Sequence, residues 1–278
     1  MIKVRKDNPC PVCGRPDWCL IAEDKSACIC ARISEGSVKK SGNARWLHKL
    51  TDSPVPARTN RKPKPIKQQP VPDFFKLQRQ FQSAMSDDTQ LAESLGVSCA
   101  ALARLEVGFC DKNRAYTFPM RNGFNKIVGI RYRASYAKFS VTGSQNALFW
   151  PVGVNANSKE TLFICEGPTD TAALLDLGFD AIGRASCNTG VEFIKTMIKG
   201  HDRTVVIMAD KDEPKNRPDG SVFYPGIEGA RRLGTELKSL TRSVRVIKPP
   251  NYKDIREWYR NGATAEKVLA LVNNARFV

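Results

Sequence analysis

Three carboxylates sit where a divalent cation would be held. Glu166 ends the apolar run TLFICE (161–166), Asp210 ends VVIMAD (205–210), and Asp212 lies two residues beyond. Carboxylates gathered at one site repel one another unless a cation neutralises them, and hard oxygen ligands suit Mg²⁺ or Mn²⁺. A metal so held polarises a phosphate oxygen and stabilises the attacking oxygen, which is the chemistry of phosphoryl transfer. The bland alternatives are a solvated turn at Asp210-Lys211-Asp212 and a helix cap at Thr169 or Asp170.

A second set of chemically capable residues is sulfur. Nine cysteines are present, and five of them crowd into residues 10–30. Cys10-Pro-Val-Cys13-Gly14 places two thiolates around a tight turn at zinc-ligand spacing, and Cys19, Cys28 and Cys30 follow. A tetrahedral site needs four ligands and five are on offer. In a reducing compartment such crowding points to metal rather than to disulfides. His48 is a further possible ligand, or a packing residue.

These groups must be positioned by strands and helices. From 161 onward the pattern alternates: TLFICE as strand, TDTAALLDLG as helix closed by Gly178, FDAIG as strand, VEFIKTMIKG as helix. RTVVIMAD (strand), IEGARRLGTELKSL (helix) and VRVIKPP (strand) complete the series. Alternation of this length implies a parallel sheet covered by helices, and both acidic motifs fall at the carboxyl ends of strands, where such sheets carry function. Before it, FFKLQRQFQSAM and LAESLGV are helical, and AYTFPM, KIVGIRYRA, KFSVTG and ALFWP are short strands.

Residues 51–72 hold six prolines and five Lys or Arg with almost no large apolar side chain, the composition of an extended basic linker. The divisions expected are therefore 1–50, a cysteine head; 51–72, the linker; 73–158, a basic lobe; and 159–278, the sheet domain. Forty-four Lys and Arg against 28 Asp and Glu give a formal charge of +16, which favours a polyanionic partner. No stretch is long and apolar enough to span a membrane, and MIKVRKDNPC lacks a signal-peptide core, so a cytoplasmic protein with no membrane partner is expected.

Glu166-Gly167-Pro168-Thr169-Asp170 followed by Asp210-x-Asp212 after a second apolar strand resembles the TOPRIM domain of primases, topoisomerases and related nucleases, over roughly 160–275. In that family the Glu serves as general base or metal ligand and the Asp-x-Asp pair binds magnesium. The resemblance assigns those roles to Glu166, Asp210 and Asp212, with Asp170 in support. PPNYKDIREWYRNG is similar to a primase segment that supplies another acid, here Asp254, which could equally cap the helix that follows. Residues 95–151 resemble the basic lobe ahead of TOPRIM in bacterial and phage primases, implying Arg121, Arg131, Arg133 and Lys138 as nucleotide and template contacts. Arg131 and Arg133 also share one face of a strand whose other face is apolar, an arrangement suited to phosphate. ICAR resembles the close of phage and plasmid primase zinc heads; with a hairpin around Glu23-Asp24-Lys25 it favours Cys10, Cys13, Cys19 and Cys30 as zinc ligands, Cys28 standing as substitute.

The fold implied is α/β: a TOPRIM parallel-sheet domain preceded by a small basic α+β lobe and an N-terminal zinc-ribbon module. The activity implied is a DNA primase that makes short RNA primers on single-stranded DNA from nucleoside triphosphates, with structural zinc and catalytic Mg²⁺ or Mn²⁺. A TOPRIM nuclease and a non-catalytic DNA-binding accessory protein are the alternatives. No G-x-x-x-x-G-K-[ST] loop occurs, so a separate helicase would be the replicative partner. EPKNRPDGSVFYP departs from the bacterial pattern by intervening between Asp212 and the next helix.

Overall fold

The computed structural model describes residues 1–41, 45–51, 71–217 and 219–278. Most of the expected linker, 52–70, lies outside the described residues. The chain divides into two compact units, Met1–Lys67 and Gln68–Val278.

The first unit is a small antiparallel sheet. Strands β1 (Ile2–Lys3), β2 (Leu20–Ile21), β3 (Ala27–Cys30), β4 (Lys39–Lys40) and β5 (Trp46–Lys49) lie in the order β1-β2-β3-β5-β4. The expected hairpin joins β2 to β3: Lys25 takes a positive φ of 57°, and the amides of Lys25 and Ser26 are bonded to the Ala22 carbonyl and the Asp24 carboxylate. The core is Val4 and Ile21 with four cysteines, Cys10, Cys19, Cys28 and Cys30. So little apolar surface cannot hold ~50 residues together by burial alone.

In the second unit, Asp73 caps α1 (Phe74–Ala84) by accepting from the Lys76 amide. Helices α2 (Thr89–Leu95) and α3 (Cys99–Arg104) follow, then β6 (Gly108–Cys110), β7 (Ala115–Arg121), β8 (Ile127–Arg133), β9 (Lys138–Ser140) and β10 (Leu148–Phe149). Next come β11 (Leu162–Glu166), α4 (Gly167–Asp176), β12 (Asp180–Arg184), α5 (Val191–Ile198) and β13 (Thr204–Met208). A hairpin of β14 (Lys215–Asn216) and β15 (Val222–Phe223) precedes α6 (Pro225–Leu237), β16 (Ser243–Ile247), α7 (Ile255–Arg260) and α8 (Ala265–Asn274).

One sheet runs β16-β13-β11-β12-β10-β7-β8-β9, with β6 on β7. The alternating half is parallel, as its pattern implied: β12, β11, β13 and β16 all point the same way. Their inner residues are apolar on both faces because helices cover both. Leu162, Ile164, Ile182, Val205 and Ile207 pack with α5 and α6, while Phe163, Cys165, Val206 and Met208 pack with α7 and α8. Strand β10 pairs antiparallel with both β12 and β7, so residues on either side of position 158 share the sheet.

Helix α8 was not anticipated, although Thr264 announces it: its hydroxyl accepts from the Lys267 amide. The segment between Asp212 and α6 is the β14–β15 hairpin, held by Arg217, which stacks 4.8 Å over Phe223 and pairs with Glu228.

Arg203, fully buried, ties the segment before β11 to the sheet. It donates to the carbonyls of Glu160 (2.9 Å) and Asn155 (2.8 Å) and to the carboxylate of Asp180 (3.2 Å). Removing one partner of a satisfied buried network strands the others. Arg203→Met is therefore expected to cost ~3–5 kcal/mol in a denaturant titration.

Candidate functional site

The carboxyl ends of β11 and β13 lie side by side, and both acidic motifs open into one cleft of about 310 Å³. Glu166, Asp170, Asp210, Asp212 and Asp254 line it together with Arg131, Arg133, Lys138, Lys253 and Arg256, five carboxylates facing five cations. Of the acidic and basic sequence candidates only Arg121 is elsewhere. It pairs with Glu106, donates to the Asn125 carbonyl (2.7 Å) and lines a different, larger cavity beside α1. Both members of that pair are mostly buried, so Arg121→Ala is expected to lower stability by ~1–2 kcal/mol in equilibrium unfolding, through a carboxylate left unpaired.

Glycine makes the geometry possible at two points. Gly167, at φ +78°, turns the chain from β11 straight into α4, so Glu166 itself is the N-cap and uses no side-chain bond to cap. Asp170 consequently falls inside the first turn, buried, and does not cap the helix; Thr169 does not either. The Asp170 carboxylate instead accepts from the Arg256 amide at 3.3 Å. Gly226 opens α6 against the other motif: a Cβ there would stand 2.6 Å from the Asp210 carbonyl oxygen and 3.2 Å from Asp212 Oδ2. The first turn of that helix thus packs directly against the Asp210–Asp212 turn.

Asp254 is a helix cap that also faces the cleft. Its side chain caps α7 by accepting from the Glu257 amide at 2.7 Å, and it lines the cleft. Burial and the crowd of like charges dominate the electrostatics. Asp210 is pushed up to about 9 by burial first and then by Asp170, Glu166 and the two other acids. Asp170 rises to about 7 through burial and Asp254, opposed by Arg256. Burial also raises Glu166, against the pull of Arg184 and with a push from Asp212. Burial lowers Arg133 and Lys138, the neighbouring cations adding to it, so both are poorly hydrated and gain by meeting an anion.

Such a site suits a divalent cation, which relieves the repulsion and lets Asp210 ionise. The acids are spread along the cleft: among the described residues, only a cysteine group has every ligand atom within 4.8 Å of the others. Mg²⁺ and Mn²⁺ tolerate that, because they keep part of their water shell.

The cysteine group is Cys10, Cys13, Cys19 and Cys30. Cys13 and Cys19 sulfurs are 3.7 Å apart and Cys19 and Cys30 4.0 Å, near the ~3.8 Å between thiolates around a tetrahedral zinc. Amides of Ala31, Arg32 and Ile33 point at the sulfurs of Cys19 and Cys30, and the Arg32 guanidinium stands 3.8 Å from Cys13 and Cys19. Cys28 is 3.4 Å from Cys10 but outside the four-membered group. His48 is taken by the Ile33 carbonyl at 2.9 Å. Trp18 is 74% exposed beneath Arg32, with its guanidinium 5.4 Å from the ring.

No protein-family model matches the sequence, and no curated protein is similar to it in sequence. Solved structures do match. A DnaG primase catalytic domain bound to single-stranded DNA aligns with a TM-score of 0.55 at 18% identity, over 73% of this chain and 80% of that one. The E. coli primase catalytic core gives 0.54 and 19%, over 73% and 79%. The zinc-binding and RNA polymerase domains of Aquifex aeolicus primase give 0.56 and 13%, over 73% and 59%. The fold is that of a primase catalytic core. On the primase fold the cleft joins groups that sequence spacing keeps far apart, and two of its cations are not among the sequence candidates. Lys253 and Arg256 flank Asp254 in KDIRE, a segment read only for its acid. Arg184, which also was not a candidate, does not line the cleft but lies buried at the end of the strand DAIGR, beside Glu166.

Proposed function

We propose that the chain is a DNA primase, a nucleotidyltransferase that extends a ribonucleotide chain on a single-stranded DNA template. One observation carries the reading: on a primase catalytic-core fold, Glu166, Asp210 and Asp212 share a cleft with Arg131, Arg133 and Lys138. Glu166, Asp210 and Asp212 would hold Mg²⁺ or Mn²⁺, with Asp170 and Asp254 in support. When bound, the cation would polarise the phosphate oxygens and stabilise the attacking 3′-hydroxyl oxygen.

The chain's own cations do the rest of the binding. Arg133 and Lys138, desolvated on one wall, are suited to the triphosphate, and Arg131 on the same strand is suited to the template or to a second phosphate. Asp254, with one oxygen fixed by the Glu257 amide, presents a carboxylate that cannot swing away. Zinc held by Cys10, Cys13, Cys19 and Cys30 folds the head, whose Trp18, Arg15, Arg32, Lys39 and Lys40 offer stacking and charge to single-stranded DNA. A helicase would be a separate partner, and the setting cytoplasmic.

The test is a product assay with labelled nucleoside triphosphates on varied single-stranded templates, with and without Mg²⁺ or Mn²⁺. Metal- and template-dependent oligonucleotides are expected. Cleavage of the template without synthesis would instead identify a nuclease, and tight DNA binding with neither product an accessory protein.

A further inference from the structure

Arg184 ends β12 and is only 2% exposed, yet its Nε and Nη1 atoms have no hydrogen-bond partner. No ion pair among the described residues includes it. A guanidinium buried without acceptors is costly, so a partner is owed to it.

Sheet register says which one. Glu166 and Arg184 are direct partners across the parallel pair β11 and β12, so their side chains leave the same face of the sheet, the face covered by α5 and α6. On the opposite flank Arg184 is paired with Leu148, which offers nothing polar. Gly190 lies over its stem, where a Cβ would be 3.9 Å from Cγ. The carboxylate on the adjoining strand is that of Glu166, whose other side lines the cleft.

We propose that Arg184 is a positioning residue for Glu166: its guanidinium, beyond hydrogen-bond reach of the carboxylate in this structure, attracts it by charge from the buried side and so biases the direction in which that carboxylate faces the cleft. This rests on Glu166 being a ligand of the divalent cation. A cation that merely sat nearby would repel the metal, and removing it would tighten binding. An orienting cation acts in the opposite sense, since partners of a ligating carboxylate are worth about 10–100-fold in metal affinity. The sign of the change separates the two.

Mn²⁺ binding to the full-length, zinc-loaded protein, followed by the loss of the free-ion electron paramagnetic resonance signal, reads this without turnover. Arg184→Met is expected to weaken Mn²⁺ binding by about tenfold or more and Arg184→Lys to recover most of it. The double variant Arg184→Met/Glu166→Gln is expected to bind no more weakly than Glu166→Gln alone, because one effect passes through the other. A folded Arg184→Met protein with wild-type or tighter binding, or a loss that adds fully to that of Glu166→Gln, overturns the proposal. Should Arg184→Met not fold, Arg184→Gln carries the same comparison. If Glu166→Gln leaves Mn²⁺ affinity unchanged, the ligand assignment fails, and the proposal with it.

Discussion

Asp210→Asn is expected to raise the melting temperature of the metal-free protein at pH 8 while lowering metal-dependent incorporation by about 10³-fold, the rate equivalent of several kcal/mol of lost charge stabilisation. The two effects share one cause. In the folded protein Asp210 is raised from 3.8 to about 9, chiefly by burial and then by the acids around it. A group whose folded value lies above its unfolded value contributes stability at low pH, and that contribution is lost as pH rises through the folded value. Between pH 4 and 9 the metal-free fold therefore weakens with rising pH, and Asp170, raised to about 7, adds to the slope over the lower part of that window. An amide at position 210 carries no charge to bury, and is expected to recover on the order of 3 kcal/mol at pH 8. Mg²⁺ should stabilise the wild type increasingly from pH 7 to 9 as it displaces the protons, and should do little for the variant. Melting curves at several pH values, with and without Mg²⁺, check both halves. A variant that melts below wild type in metal-free buffer at pH 8 would show that Asp210 is not held against its own charge.

The main frame of this site was legible because its strands carry strong periodic signals. VVIMAD can hardly be anything but a buried strand with an acid at its end, and TLFICE is its twin. What the pattern could not show is direction and depth. Asp170 follows a Gly-Pro pair and reads as a cap, but Gly167 starts the helix a turn earlier than a capping residue would, and the carboxylate is swallowed into the first turn. Arg121 carries the same charge as Arg131 and Arg133 and sits on a neighbouring strand, yet Glu106 claims it at the far end of β7. Lys253 and Arg256 enter the cleft only because β16 lies beside β13 and its exit loop crosses the strand ends. Arg184 is visible in the sequence as one cation after a small apolar run. Its importance comes from register, since β12 lies beside β11 and places it next to Glu166, and register is a long-range property that no local window contains.

Chelating zinc is expected to unfold the head, because a metal held by the four cysteines would be most of what holds it together. Its core amounts to two aliphatic side chains and a set of thiols, whereas structural zinc supplies ~10–16 kcal/mol of apparent binding free energy in small domains. One zinc per chain is expected by metal analysis, and a strong chelator should expose residues 1–50 to proteolysis. Cys13→Ser and Cys30→Ser should each lose the metal. Cys28→Ala should keep it, losing only ~1–2 kcal/mol from a small cavity at a fully buried position. The distinction follows from geometry. Cys30 sits at the end of β3, where the chain bends and the amides of Arg32 and Ile33 turn onto its sulfur, while Cys28 lies inside the strand opposite His48 and adjoins only Cys10 of the four-cysteine group. Four thiolates around Zn²⁺ carry two net negative charges, and Arg32, reaching both Cys13 and Cys19, offsets one of them. Arg32→Ala should therefore retain zinc but release it faster to a competing chelator. Loss of zinc from Cys28→Ala with retention in Cys30→Ser would exchange the two cysteines in the ligand set.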